Sequence, residues 1–218
     1  MPRATFGAWQ LERNDRPTGW LARNPPELGG IGGARVGIVG LGGLGSNVAM
    51  MLARAGVGAL RIADFDRVEP ENLNRQHFFT AHIGLLKTEA LASQLRELNP
   101  EIELDLWPRR IEESDLATFS AGCEVVVEAV DGAATKSMII NWFLENRSAP
   151  WLVTASGLGG IAPATAVSTV LLADRIVACG DFSTPIDAET GVCAPRVMLA
   201  ASHQALVVLR ILAGLDPV

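Results

Sequence analysis

Lysine is nearly missing from this chain: of 18 basic residues only Lys87 and Lys136 are lysines, and arginine supplies the rest. Cysteine is scarce too. Cys123, Cys179 and Cys193 form an odd, dispersed set without a C-x-x-C pair. That excludes a zinc clip written in the sequence and gives no disulfide framework, so no zinc is expected. Cys123, at the start of an apolar strand, and Cys179 read as core filler. No apolar run reaches the roughly 20 uncharged residues that a membrane-spanning helix needs. The stretch from Ala194 to Leu215 comes closest, but Arg196, His203, Gln204 and Arg210 interrupt it. A basic segment followed by an apolar one, the mark of a secretory signal, does not open the chain, so the expected location is cytoplasmic. Excess positive charge is lacking as well. A net charge of −6 and a pI near 5.1 argue against non-specific nucleic-acid binding as the main activity.

What is present is a chain of 218 residues, 49% hydrophobic and 19% charged, enough for one α/β domain with a well-buried core and too short for two large ones. Residues 1–34 stand apart. Their "RPTGWLARNPPELGGIGGAR" has prolines and glycines at loop density, and they read as an N-terminal arm and linker, with Trp9 and Trp20 as anchors on another surface. Residues 35–218 alternate between two periodicities. "RVGIVG", "ALRIADFD", "IELDLWP", "CEVVVEAVD" and "PWLVTASG" read as buried strands. "LGSNVAMMLARAG", "GLLKTEALASQLRELNP", "AATKSMIINWFLEN" and "APRVMLAASHQALVVLRILAG" read as helices, the second with Leu85, Leu91, Leu95 and Leu98 on one side. "ATAVSTVL" and "DRIVACG" add two antiparallel strands near the C-terminus. The expected fold is α/β: a Rossmann-like, mainly parallel sheet with helices on both faces and ligands beyond the strands' C-terminal ends.

The turn Gly40-Leu41-Gly42-Gly43-Leu44-Gly45 follows a strand and opens a helix, the context in which G-x-G-x-x-G binds nucleotides. Gly40 permits the tight turn, Gly42 and Gly43 let a phosphate approach the backbone, and Gly45 allows close helix–strand packing. The helix N-terminus adds N–H donors for an anion. Asp64 ends the next strand, where a carboxylate accepts hydrogen bonds from ribose hydroxyls. An NAD-dependent oxidoreductase fits this far. Arg75, eleven residues beyond Asp64, and Lys87, twelve further on, suit a triphosphate better, because charge rises at the transferring phosphorus and the departing pyrophosphate. Asp131, after "CEVVVEAV", can hold Mg²⁺ through water. The same residue suits the N-cap of the following helix, and one carboxylate can do both.

In chain order, the glycine turn, Asp-x-Asp, "ENLNRQ", the lysine of "IGLLKTEAL", "NPEIE" and the Asp after strand four resemble the ThiF/MoeB/HesA family, bacterial relatives of the ubiquitin-activating enzymes. The likeness runs from about Arg35 to Gly214. "NLNRQ", "APRVM" and "SHQA" are most similar to the short, zinc-free ThiF-like proteins of thiamine biosynthesis. The resemblance implies an adenylyltransferase that uses ATP and Mg²⁺ to activate the C-terminal Gly-Gly carboxylate of a small ubiquitin-like sulfur carrier. It also implies a homodimer; it is the acidic charge that makes nucleic acid an unexpected partner. By motif position Gly43, Asp64, Asn72 and Gln76 hold the nucleotide, with Asn72 and Arg75 at its phosphates. Lys87 stabilises the α-phosphate and Asp131 binds the metal; Arg75, Lys87 and Asp131 are the expected catalytic residues.

The chain departs from the family where Asp131-Gly132 and then Lys136 replace an Asp-Asn followed by arginine. Cys193 lies a few residues beyond the family's covalent cysteine, which favours a structural role. Arg13 and Arg16 are candidates for an arginine reaching a partner's site. Residues 183–191, "STPIDAETG", read as a mobile loop that receives the carrier's tail. His77 and His82 read as loop residues and His203 as a satisfied polar group in the last helix. Other readings are activation of a molybdopterin-synthase-type carrier, dehydration of a modified tRNA base, and a binding module without catalysis.

Overall fold

The computed structural model describes residue 19, residues 21–186 and residues 189–218. Trp9, Arg13, Arg16 and Trp20 therefore lie outside the described residues. Seven strands form one sheet: β1 (Arg35–Val39), β2 (Ala59–Ala63), β3 (Glu103–Trp107), β4 (Val125–Glu128), β5 (Trp151–Ser156), β6 (Ser168–Ala173) and β7 (Ile176–Gly180). Among the described residues, five α-helices accompany them: α1 (Gly43–Ala55), α2 (Lys87–Leu98), α3 (Glu113–Ser120), α4 (Ala133–Glu145) and α5 (Ala194–Leu212). The strand order is β3-β2-β1-β4-β5-β7-β6. All pairings are parallel except β6 with β7. The chain winds outward from β1 in one direction, then returns to β4 on its other side. The gap between the C-terminal ends of β1 and β4 is the topological switch point, where open α/β sheets take their ligands.

Alternation within the strands explains the layers. In β4, Val125 and Val127 enter a core shared with α1, α2 and α5, while Val126 enters a second core with α3 and α4. Both faces are covered, so β4 reads as an unbroken apolar run. In α2, Leu91 and Leu95 are fully buried, each worth about 2 kcal/mol relative to exposure.

Three expectations change. Leu85 precedes α2 and is 44% exposed, because the chain first pairs Arg67 with Leu86 and the helix begins only at Lys87. Strand four stops at Glu128, since the Glu128 side chain accepts the Val130 N–H that would continue the ladder. Helix α3 has no counterpart in the expected elements. It is only eight residues long and starts on a reciprocal cap between Glu112 and Asp115, a signal for a helix start rather than a run.

Close backbone contact governs the first turn. Gly40 has φ +90°, and a Cβ on Gly45 would lie 1.8 Å from the Gly40 carbonyl oxygen. Gly45→Ala is therefore expected to lose ~3 kcal/mol of stability or fail to fold, as read by urea unfolding. Gly84→Ala, where no atom lies within 4 Å of the added carbon but φ is +88°, is expected to cost about 1 kcal/mol.

Candidate active site

The C-terminal ends of β1, β2, β4, β5 and β7 surround a cavity of about 590 Å³. Five cationic side chains (Arg75, Lys87, Arg109, Arg110 and Lys136) and three carboxylates (Asp64, Asp66 and Asp131) line it. In a chain of net charge −6, this local excess of positive charge marks an anion site. The N-termini of α1 and α4 also open here. Their N-caps, Gly42 and Gly132, make no side-chain capping bond, so first-turn N–H groups remain for a ligand.

Asp64 fixes the turn. Its Oδ2 accepts the Leu41 N–H at 2.6 Å and its Oδ1 the Asp66 N–H at 2.8 Å. Burial pushes its carboxyl above the ordinary 3.8, against the pull of Lys87 and of these two N–H groups. Each oxygen keeps a lone pair that a ribose hydroxyl can use. A second brace comes from Asn47, whose Nδ2 donates to Gly43 O at 2.6 Å and Arg75 O at 3.0 Å. It holds the Asn72–Gln76 segment against the start of α1. The stem of Arg75 lies across Gly43, where an added Cβ would stand 3.4 Å from Arg75 Cγ. Arg75 Nη1 donates to Glu71 O and Asn74 Oδ1; its other donors have no partner among the described residues. Lys87, 5% exposed, is held by Asp66 through an Nζ–Oδ2 ion pair of 2.9 Å.

The structure thus brings Gly40, Gly42, Gly43, Asp64, Arg75, Gln76, Lys87 and Asp131 to one cavity. Gln76 is buried and its Oε1 has no partner among the described residues. The Asp131 carboxylate is exposed and makes no bond among the described residues. It does not cap α4, the second role the sequence allowed it. As the one lining carboxylate that no described group engages, with no cluster of three or more His, Cys, Asp or Glu among the described residues, it would fit a hydrated Mg²⁺ and not an all-protein metal cage. Gly45 and Asn72 lie outside the lining. Gly45 is consumed in helix packing, and Asn72 Oδ1 accepts the Glu69 N–H at 3.1 Å.

The sequence pattern gave no role to Asp66, Arg109 or Arg110, although the Asp-x-Asp spacing offered a signal for the first. Arg110 stacks on Phe65 at 4.0 Å beside Asp64. Cys179 is fully buried, and burial pushes its thiol up to about 11 despite a hydrogen bond with Thr169. That suits core filler rather than a nucleophile.

The ThiF family profile matches residues 25–218. The chain belongs to the ThiF family. Sulfur carrier protein ThiS adenylyltransferase of Escherichia coli is 34% identical over 193 residues, covering 84% of this chain and 74% of that protein. The tRNA threonylcarbamoyladenosine dehydratase of the same organism is 34% identical over 145 residues, 66% of this chain and 53% of the relative. Its ATP complex superposes with a TM-score of 0.75 at 25% identity, covering 89% of this chain and 95% of that one. Adenylyltransferase and sulfurtransferase UBA4 of Candida glabrata is 31% identical over 83% of this chain and 43% of its own length. In sequence, the matched part of the chain thus spans about half the length of the dehydratase and UBA4 relatives. No described helix is long and apolar enough to cross a membrane.

The far wall of this ThiF-family cavity rests on a buried ion pair. Arg196, at the start of α5, pairs through Nη2 with Asp181 Oδ2 and donates from Nε to Gly159 O at 2.9 Å. Burial raises the Asp181 carboxyl. Hydrogen bonds from the Thr184 hydroxyl and from the Ser183 and Thr184 N–H groups, with the Arg196 charge, outweigh it and bring the group from 3.8 down to about 2. A depressed carboxyl contributes its full stability above its unfolded value and loses it as pH falls. The stability gap between wild type and Asp181→Asn is therefore expected to be full at neutral pH and to close between 3.8 and about 2. Urea unfolding across that range checks it; a gap independent of pH would contradict it.

Proposed function

We propose that this protein is an ATP-dependent adenylyltransferase that activates the C-terminal Gly-Gly carboxylate of a small, ThiS-like sulfur carrier for thiamine thiazole synthesis. The observation that carries the reading is the convergence of the glycine turn, Asp64, Arg75, Lys87 and Asp131 on one cavity. A nicotinamide would have no use for cations placed beyond the ribose carboxylate, whereas a triphosphate requires them.

The chain's groups divide the work. The glycine turn and the first turn of α1 take the nucleotide's phosphates on backbone N–H groups. Asp64 takes the ribose. Arg75 grips phosphate oxygens with the donors its neighbours leave unused. Asp66 keeps the Lys87 ammonium at the cavity wall until the α-phosphate, gaining charge, competes for it. The carrier's carboxylate oxygen forms a bond to the α-phosphorus, and the bond to the β-phosphate oxygen breaks, its electron pair leaving with pyrophosphate. The nucleophile is already ionised, so no general base is needed. Catalysis rests on alignment and charge stabilisation. Mg²⁺ held by Asp131 would neutralise charge on the phosphate oxygens. Phe79, Ile83 and Leu85 stand 60%, 41% and 44% exposed on one segment between Arg75 and Lys87, an apolar surface that suits a second copy of the chain.

Dehydration of a modified tRNA base is the second reading, favoured by the close superposition on the dehydratase and disfavoured by the acidic pI. In ATP–pyrophosphate exchange, wild type is expected to respond to a carrier ending in Gly-Gly and not to the carrier lacking its last glycine. Lys87→Ala is expected to lower kcat/KM about 100-fold. Undiminished exchange in that variant sinks the mechanism; exchange driven by tRNA alone moves the assignment to the second reading.

A further inference from the structure

We propose that Lys136 is the docking point for the acceptor's carboxylate, set in place by Glu128 and Thr154. The proposal rests on the adenylyl-transfer reading above and names the residue that recognises the second substrate. Glu128 closes β4 and is fully buried. Its Oε2 accepts from Lys136 Nζ and from the Thr154 hydroxyl, and its Oε1 accepts the Val130 N–H at 2.8 Å. Lys136 Nζ also donates to Ala155 O at 3.0 Å. Two of the three ammonium hydrogens thus have fixed protein acceptors, and one is left. The Lys136 side chain is 23% exposed, while Glu128 has no exposed surface and takes no part in the lining. The pair is a dipole with its positive end at the cavity.

Position separates this cation from the others. Arg75 and Lys87 lie on the β1–β2 side with the glycine turn. Lys136 lies on the β4–β5 side, bonded to Glu128 and to the Ala155 carbonyl, in a cavity whose lining also includes Ser156, Gly157 and Phe182 to Ile186. A carboxylate approaching an anionic phosphorus is repelled by it, and a preset donor on the approach side offsets that repulsion without reorganisation. A buried ion pair is weak support for stability; here its geometry also fixes the Val130 backbone just before Asp131. The ligand class that fits the one remaining ammonium hydrogen is a chain ending in a free carboxylate.

The scarcity of lysine makes the test direct. Wild-type protein labelled at the lysine side-chain nitrogens gives two ammonium resonances, assigned with Lys87→Arg and Lys136→Arg. The probes are a hexapeptide ending in Gly-Gly, the same peptide as its C-terminal amide, and ATP. The acid is expected to shift the Lys136 resonance, the amide to bind at least tenfold more weakly, and ATP to act on Lys87. In the paired variant Glu128→Gln with Lys136→Gln, which leaves no buried unpaired charge, preference for acid over amide is expected to vanish while ATP affinity stays within twofold. An acid that leaves the Lys136 resonance unmoved, equal binding of acid and amide to wild type, or ATP affinity that falls with peptide affinity overturns the proposal. These readouts need no turnover. A wild type without pyrophosphate exchange would therefore sink adenylyl transfer, while the titration by itself decides whether Lys136 receives the carboxylate.

Discussion

The site depends on how closely the Gly40 carbonyl and the start of α1 approach each other. With no side chain at residue 45, the helix begins almost against the end of β1, and its N-terminus points into the switch point between β1 and β4. The Asp64 carboxylate then ties that turn to the end of β2 through the Leu41 N–H. Fixing one turn in this way fixes the direction of the helix dipole, the path of the Asn72–Gln76 segment braced by Asn47, and the place of the Arg75 stem over Gly43. A larger residue at any of these contacts would displace all the others.

A second constraint is electrostatic. The cations are kept beside a pocket in an acidic protein by giving several of them a carboxylate partner. Asp66 holds Lys87, Glu128 holds Lys136, and Asp181 holds Arg196. The three pairs differ in depth, and that sets what they can do. Asp66 is about half exposed and can release its lysine to a stronger anion. Glu128 and Asp181 are buried, and breaking either pair would strand a charge in the interior. The first arrangement suits a group that follows the reaction. The other two suit groups that hold a wall.

Much of the architecture was legible because it is written in local periodicity. The β-branched run of "EVVVE", the glycine stops and the spacing of Leu91 and Leu95 each report a neighbouring layer. The boundaries of β4 and α2 were not, since a side-chain hydrogen bond from the Val130 N–H to Glu128 and a bridge between Arg67 and Leu86 decide them. Helix α3 escaped for a related reason: eight residues carry too few turns for a period to show.

For the site, the sequence by itself determined the residue types that line the cavity: glycines after a strand, an acid after the next, then an arginine, a lysine and a further acid at loop positions. Those are properties of short segments, and backbone rules suffice to read them. Only the tertiary structure decided which charges are available. Asn72 is turned into its own turn, Asp131 is left without a partner among the described residues, and Lys136 is drawn between Glu128 and the Ala155 carbonyl on two different strands. These two partners lie 8 and 19 residues from Lys136 along the chain. Parallel pairing of β4 with β5 brings them together, and a contact made by a sheet leaves no period in the sequence.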